Sequence, residues 1–190
     1  MKKITVYSKK NPMSRELFSR VFEILEYSFP KSERRGFKEH LSEFKRPAFR
    51  SMVLEDGAVL GFMNCWELNG ILYLEHFAVA EEMRGKGLGA YLMDELKKAA
   101  DDLPIILEAE PPDQSDIAAR RVRFYERLGF TLNKYKYLQP PYSSGEDPLP
   151  LAIMSYPDEL SRDEFLKTRN ELYRGAYEVP EDSDLYSAEL

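Results

Sequence analysis

Three groups of residues have the types and spacings that chemistry would need. The first is Arg84-Gly85-Lys86-Gly87-Leu88-Gly89, three glycines at alternate positions with two cations among them. Helical spacing begins at once, with apolar Leu88, Tyr91, Leu92 and Leu96, so the glycines open a helix. The first N–H groups of a helix have no intrahelical partners and lie at the positive end of its dipole, and glycine lets a phosphate approach the main chain closely. The turn therefore reads as a diphosphate cradle. The second group is Glu75, inside the mostly apolar run Ile71–Ala80. A carboxylate there is costly unless it faces a polar cavity or finds a partner, and partial burial would raise its pKa as suits a general base. Two-residue alternation places it with Tyr73 and Phe77 and turns His76 to the other face. The third group is Glu108 and Glu110, two apart on a short apolar stretch and so on one face. Like charges so placed push one pKa up or await a cation, which favours a ligand with an amino group.

Neighbouring patterns are excluded by their own requirements. A kinase-type phosphate loop needs Ser or Thr after Gly-Lys to hold magnesium, whereas Lys86 is followed by Gly87 and Leu88. A dinucleotide fingerprint needs G-x-G-x-x-G, but Gly85, Gly87 and Gly89 are spaced G-x-G-x-G. Cys65 is the one cysteine, so neither an internal disulfide nor a cysteine-based metal site can form, and no motif ties His40 or His76 to it as a nucleophile. With 27 basic against 33 acidic residues the formal charge is −6, which disfavours non-specific nucleic-acid binding. No apolar run approaches the roughly 18 to 20 residues of a membrane span, and the first residues lead into a short strand, not an apolar leader core. The expectation is a cytoplasmic protein with no metal, nucleic-acid or membrane partner.

The elements that must position these residues can be read from periodicity. A short strand at Ile4–Tyr7 precedes a helix opened at Ser14 and stopped at Pro30. A second helix carries Phe37, Leu41 and Phe44. Strands Phe49–Glu55, Val59–Leu68 and Ile71–Ala80 are separated by Asp56-Gly57 and Asn69-Gly70, dipeptides that favour tight hairpin turns. Helix Gly87–Ala100, strand Ile105–Glu110, a helix from Asp116 to Leu128 and strands Phe130–Leu138 and Leu149–Tyr156 follow. Ser161-x-x-Glu164 is a capping box opening a last helix. The acidic tail after Pro180 reads as mobile.

Arg84-x-x-Gly87-x-Gly89 resembles the Arg/Gln-x-x-Gly-x-Gly/Ala signature of the GNAT superfamily of N-acetyltransferases. The order of elements resembles the GNAT fold from about Ile4 to Tyr156. A second stretch, Phe124-Tyr125-Glu126-Arg127-Leu128-Gly129-Phe130, resembles the family's helix tyrosine followed four residues later by Gly-Phe. The resemblance implies an α/β (α+β) fold with a mixed, mainly antiparallel sheet of about seven strands. It also implies helices on both faces and a V-shaped splay between the central strands. Residues 1–157 would form the acetyltransferase domain, with 158–190 packed on or extending it. It implies acetyl-CoA as co-substrate, held by Arg84, Gly85, Lys86, Gly87, Leu88, Gly89 and Ala90 and by the main chain of Phe77, Ala78 and Val79. Tyr125 would protonate, or donate a hydrogen bond to, the departing thiolate. Glu75 or Glu108 would serve as base for a primary amine attacking directly in a ternary complex. Glu110 and Tyr142 would border the acceptor, a small amine or a peptide, and a homodimer is compatible with the last helix. One departure is the Asp116–Arg121 region, which lacks the asparagine many members carry there. Two other outcomes stay open, a non-catalytic acyl-CoA-binding module and a protein N-terminus or lysine acetyltransferase.

Overall fold

A computed structural model describes residues 2–143 and 145–188. The chain divides into two compact units, Met1–Glu67 with Leu74–Asp101, and Leu68–Tyr73 with Asp102–Leu190.

The first unit holds strand β1 (Lys3–Ser8), helices α1 (Arg15–Ser28) and α2 (Phe37–Glu43), strands β2 (Phe49–Glu55) and β3 (Val59–Leu68, less its last residue), most of β4 (Ile71–Val79), and helix α3 (Leu88–Ala99). Strands β1, β2 and β3 pair antiparallel, with Tyr7 opposite Ser51 and Ser51 opposite Asn64. The Ser14 hydroxyl accepts the Leu17 N–H and so caps α1, as its position before the apolar periodicity predicts. That helix lays Phe18, Val21, Phe22 and Leu25 on Val53, Val59, Phe62 and Ala78. Each such side chain stabilises the fold by about 1.5–3 kcal/mol when fully buried.

The second unit holds the start of β4, strand β5 (Ile105–Ala109), helix α4 (Asp116–Arg127), strands β6 (Thr131–Leu132), β7 (Tyr137–Gln139) and β8 (Leu149–Tyr156), and helix α5 (Arg162–Gly175). Strands β5, β6 and β7 all pair antiparallel with β8. The strand order is β1-β2-β3-β4-β5-β8-β6, with β7 also on β8. Among the described residues the count is eight where about seven were expected, because the predicted strand Phe130–Leu138 is broken in two. Asn133 interrupts it. Its amide donates to Ile153 O and Ser155 Oγ, and its Oδ1 accepts the Leu160 N–H. The capping box of Ser161 and Glu164 forms as read. As far as Ala188 the tail is held by contacts, where its composition suggests a mobile segment; the expectation for residues 189–190 lies outside the described residues. Arg169 donates to Tyr186 O and Ala188 O, and the Tyr186 ring meets Tyr173 edge-on at 5.4 Å.

Candidate active site

In the first unit, Gly85 and Gly87 have φ of 74° and 76°, values that side chains with a Cβ rarely adopt. Gly87 is the N-cap of α3, no side chain caps that end, and no acidic residue occupies the first turn. Nothing lies within 4 Å of where a Cβ on Gly85 or Gly87 would be. The N–H groups of Leu88, Gly89 and Ala90 precede the first intrahelical bond, Tyr91 N–H to Gly87 O at 3.1 Å, and so have no partner within the helix. This is a nest suited to phosphate oxygens. Lys86 is exposed beside it, its Nζ 3.6 Å from Met83 Sδ. Arg84 is directed elsewhere. Its guanidinium donates to Val79 O and Ser28 Oγ and lies 5.6 Å from the Tyr27 ring centroid, so it braces the end of β4.

Along β4, residues Glu75, Phe77 and Val79 are half-buried between buried neighbours. The Glu75 side chain is 0% exposed, so what is open at that position is main chain. Exposed main chain in mid-strand is the kind of surface with which an extended amide-bearing arm can form hydrogen bonds.

Of the two outcomes open to Glu75, a polar cavity or a partner, the structure shows partners. Arg35 donates to its Oε1, and Trp66 Nε1–H donates to Oε2 at 2.9 Å. Arg35 also pairs with Glu43 at 3.1 Å, and Glu43 with Arg46 at 3.3 Å. Both guanidinium groups lie over Trp66, at 5.7 and 4.4 Å from its ring centroid. Burial alone would push the Glu75 carboxyl up, but Arg35 and then His76 hold it well below the usual range. A carboxylate so held is a poor proton acceptor. His76, expected on the far side, instead has Nδ1 3.5 Å from Glu75 Oε2, while its Nε2 is bonded to Glu33 O at 3.0 Å. Arg35, in the polar break between the first two helices, was not singled out by any motif.

Beside this network His40 is 1% exposed and its Nε2 lies 3.0 Å from Asn64 Nδ2. Burial, followed by the charge of His76, lowers its pKa to about 3 against an opposing pull from Glu75. The sign follows from the proton count. Between about 6.5 and 3 the unfolded chain binds a proton at this ring and the folded chain does not. The stability this group supports is whole above about pH 6.5 and is lost as pH falls toward 3. Thermal melts should decline below pH 6.5, by on the order of 3 kcal/mol at pH 4 for this group alone. His40→Gln should flatten the profile between pH 6.5 and 4.5; an unchanged slope would remove His40 as the cause.

In the second unit, Tyr125 on α4 is almost fully buried, its ring 5.9 Å from Phe130 and 5.3 Å from Phe124. Its hydroxyl has no hydrogen-bond partner among the described residues. Burial raises its pKa to about 12 while Arg121 pulls it down. The phenol therefore keeps its proton and can donate a hydrogen bond. Full transfer to a thiolate of ordinary pKa, about 8.5, would be uphill.

Glu108 and Glu110 do not form a like-charge pair. Glu110 meets Arg121 at 2.9 Å. Glu108 accepts from three phenols: Tyr73 at 2.8 Å and Tyr177 at 2.7 Å on Oε2, and Tyr137 on Oε1. Tyr142 Oη is 3.4 Å from Tyr177 Oη. Burial first, then the Glu108 charge, pushes Tyr137 and Tyr177 well above the ordinary phenol range, so both remain donors. Among these, Glu108 and Tyr142 were legible as candidates, whereas Tyr137 and Tyr177 carried no sequence signal.

Comparison with known proteins identifies the fold and the family. YjbC of Bacillus subtilis, provisionally described as an acetyltransferase, is 38% identical over 65 residues, covering 34% of this chain and 33% of that protein. The chain thus matches about a third of that relative's length. A solved structure provisionally described as a GNAT-family acetyltransferase of Bacteroides thetaiotaomicron is 29% identical. It superposes with a TM-score of 0.84 over 94% of this chain and 99% of that one. NAA60 of Arabidopsis thaliana, solved with acetyl-CoA, shares the fold at 13% identity, with a TM-score of 0.60 over 82% of this chain and 98% of that chain. The model of the acetyltransferase (GNAT) family matches residues 15–130, more than half of the sequence, and the chain belongs to that family.

Proposed function

We propose that the protein transfers an acetyl group from acetyl-CoA to a primary amine. The observation that carries this reading is the nest of Gly85 and Gly87 at the uncapped start of α3, which follows the exposed main chain at Glu75 in β4. These groups fit a diphosphate and an amide-bearing arm, and membership of the family makes acetyl-CoA the compound they would hold. Gly85, Lys86, Gly87, Leu88, Gly89 and Ala90 would hold the diphosphate, and the main chain of Phe77, Ala78 and Val79 the arm. When bound, acetyl-CoA supplies an already activated thioester.

The chain's own groups then have limited work. Tyr125 donates a hydrogen bond that stabilises charge on the departing sulfur. Glu108, held by its phenols, accepts the amine proton directly or through water. The held-down Glu75 does not take this role; it organises the Arg35 and Trp66 network. The acceptor is a small amine or the amino group of a peptide.

Tyr125→Phe should lower kcat by about 10- to 100-fold, the value of one hydrogen bond to a charged atom, with acetyl-CoA affinity within about twofold. An unaltered kcat would remove its role. A module that binds acyl-CoA without turnover is the other reading, and a thiol-release assay with acetyl-CoA and a panel of primary amines separates the two. Release above background supports the enzyme; a melting shift with acetyl-CoA and no release supports the module.

A further inference from the structure

Away from Glu108, the second unit carries a pocket of about 210 Å³ bordered by α5 and by the starts of β4 and β5. Its apolar lining is Ile71 at the start of β4, Pro104 ahead of β5 and Leu160 ahead of α5. The helix supplies Glu164, Lys167, Thr168 and Glu171, spaced i, i+3, i+4 and i+7 and so on one stripe of α5. Asn69, in the turn between β3 and β4, completes the rim. Hydrogen bonds fix these walls in advance. Leu72 N–H donates to Pro104 O at 2.9 Å, and Leu160 N–H donates to Asn133 Oδ1 at 2.8 Å. The Ser161 hydroxyl and N–H hold the Glu164 carboxyl below the usual range, so it stays ionised.

Three donors around this pocket are uncommitted. Thr168 is 5% exposed, and its hydroxyl has no hydrogen-bond partner among the described residues, a costly state for a buried polar group. The Asn69 amide makes no hydrogen bond among those residues either. The Lys167 ammonium makes no ion pair at contact distance, though its charge acts on Glu164. Convergent donors, one of them cationic, suit a carboxylate. Glu164 and Glu171, on the same stripe, suit an ammonium, and Glu171 is 3.4 Å from Arg174. Lys167 and Arg174 balance Glu164 and Glu171, so an occupant that carries both signs and no net charge leaves none of them unpaired. Pockets for drug-sized ligands run to about 300–1,000 Å³, and this one takes a smaller body.

We infer that this pocket binds a free aliphatic amino acid. Its carboxylate meets Lys167, Thr168 and Asn69, its ammonium meets Glu164 or Glu171, and its alkyl chain covers Ile71, Pro104 and Leu160. The pocket shares no residue with the glycine cradle or the Glu108 cluster. It is therefore a second, non-catalytic site, and it stands whether or not the acetyltransferase reading does.

The test is calorimetric titration of the full chain with L-leucine and with three truncated probes. These are 4-methylpentanoate, which lacks the ammonium, 3-methylbutylamine, which lacks the carboxylate, and glycine, which lacks the alkyl chain. L-Leucine should bind at least about tenfold more tightly than any of them. Lys167→Met and Thr168→Val should each weaken L-leucine about three- to tenfold and leave 3-methylbutylamine unchanged. Both variants should keep one cooperative melt; if Thr168→Val does not, Lys167→Met, at an exposed position, carries the test alone. No binding of L-leucine up to about 10 mM overturns the site. So does equal binding of L-leucine and any truncated probe, or L-leucine affinity unchanged in Lys167→Met.

Discussion

Arg35→Met should be the most destabilising single substitution at a polar position in the first unit, costing about 3–5 kcal/mol. The reason is what it leaves behind. Glu75 has a side chain 0% exposed, and its charge is held by Arg35. Without the guanidinium, the carboxylate must stay ionised in a medium that solvates it poorly or take up a proton at neutral pH. Either route costs several kcal/mol, far more than the net worth of the pair when intact. For a chain of this size the loss corresponds to a fall of about 6–20 °C in melting temperature. Adding Glu75→Gln to the same chain should recover most of it, because the amide oxygen can still accept the Trp66 N–H and no charge remains. Urea unfolding of the wild type, the single variant and the double variant checks the account. A loss below about 1 kcal/mol in Arg35→Met, or no recovery in the double variant, would show that the network is not what holds this face.

Gly87→Val should abolish measurable acetyl-CoA binding, with an affinity loss of at least about 100-fold. Two effects combine. The backbone has φ of 76°, where a β-branched residue costs on the order of 1–3 kcal/mol. The new methyl groups would also stand where nothing now lies within 4 Å, next to the N–H groups proposed to hold the diphosphate. Gly57→Val separates the two effects. Gly57 has φ of 73° with equally open surroundings, but it turns the hairpin between β2 and β3. It should therefore share the backbone cost and leave coenzyme affinity unchanged. If both variants lose binding alike, strain alone explains the result and the cradle is not the binding element.

The strand, glycine turn and helix that carry this prediction were legible in the sequence, since they depend on neighbours in the chain. Local rules likewise placed Ser14 and Ser161 as caps and the boundaries of β8 at Leu149–Tyr156. What sequence reading missed depends on distant partners. Phe130–Leu138 has strand-like residues throughout, yet Asn133 breaks it because its amide serves Ile153, Ser155 and Leu160. Arg35 looks like one more cation in a polar break, and only folding brings it to Glu75, forty positions away. The acidic tail reads as solvated until Arg169 grips its carbonyls. Glu108 was singled out from its strand, but its three phenols, Tyr73, Tyr137 and Tyr177, come from three separate stretches of chain, and no spacing rule joins them.

Trp66, the chain's sole indole, is wholly enclosed, with its N–H on Glu75 and two guanidinium groups over its ring. Nature has thus installed an optical reporter at the most charge-dependent point of the first unit. Emission excited at the red edge of the ultraviolet band will follow this one microenvironment, free of competing indoles, and its colour will register acid titration or loss of Arg35 before the backbone lets go.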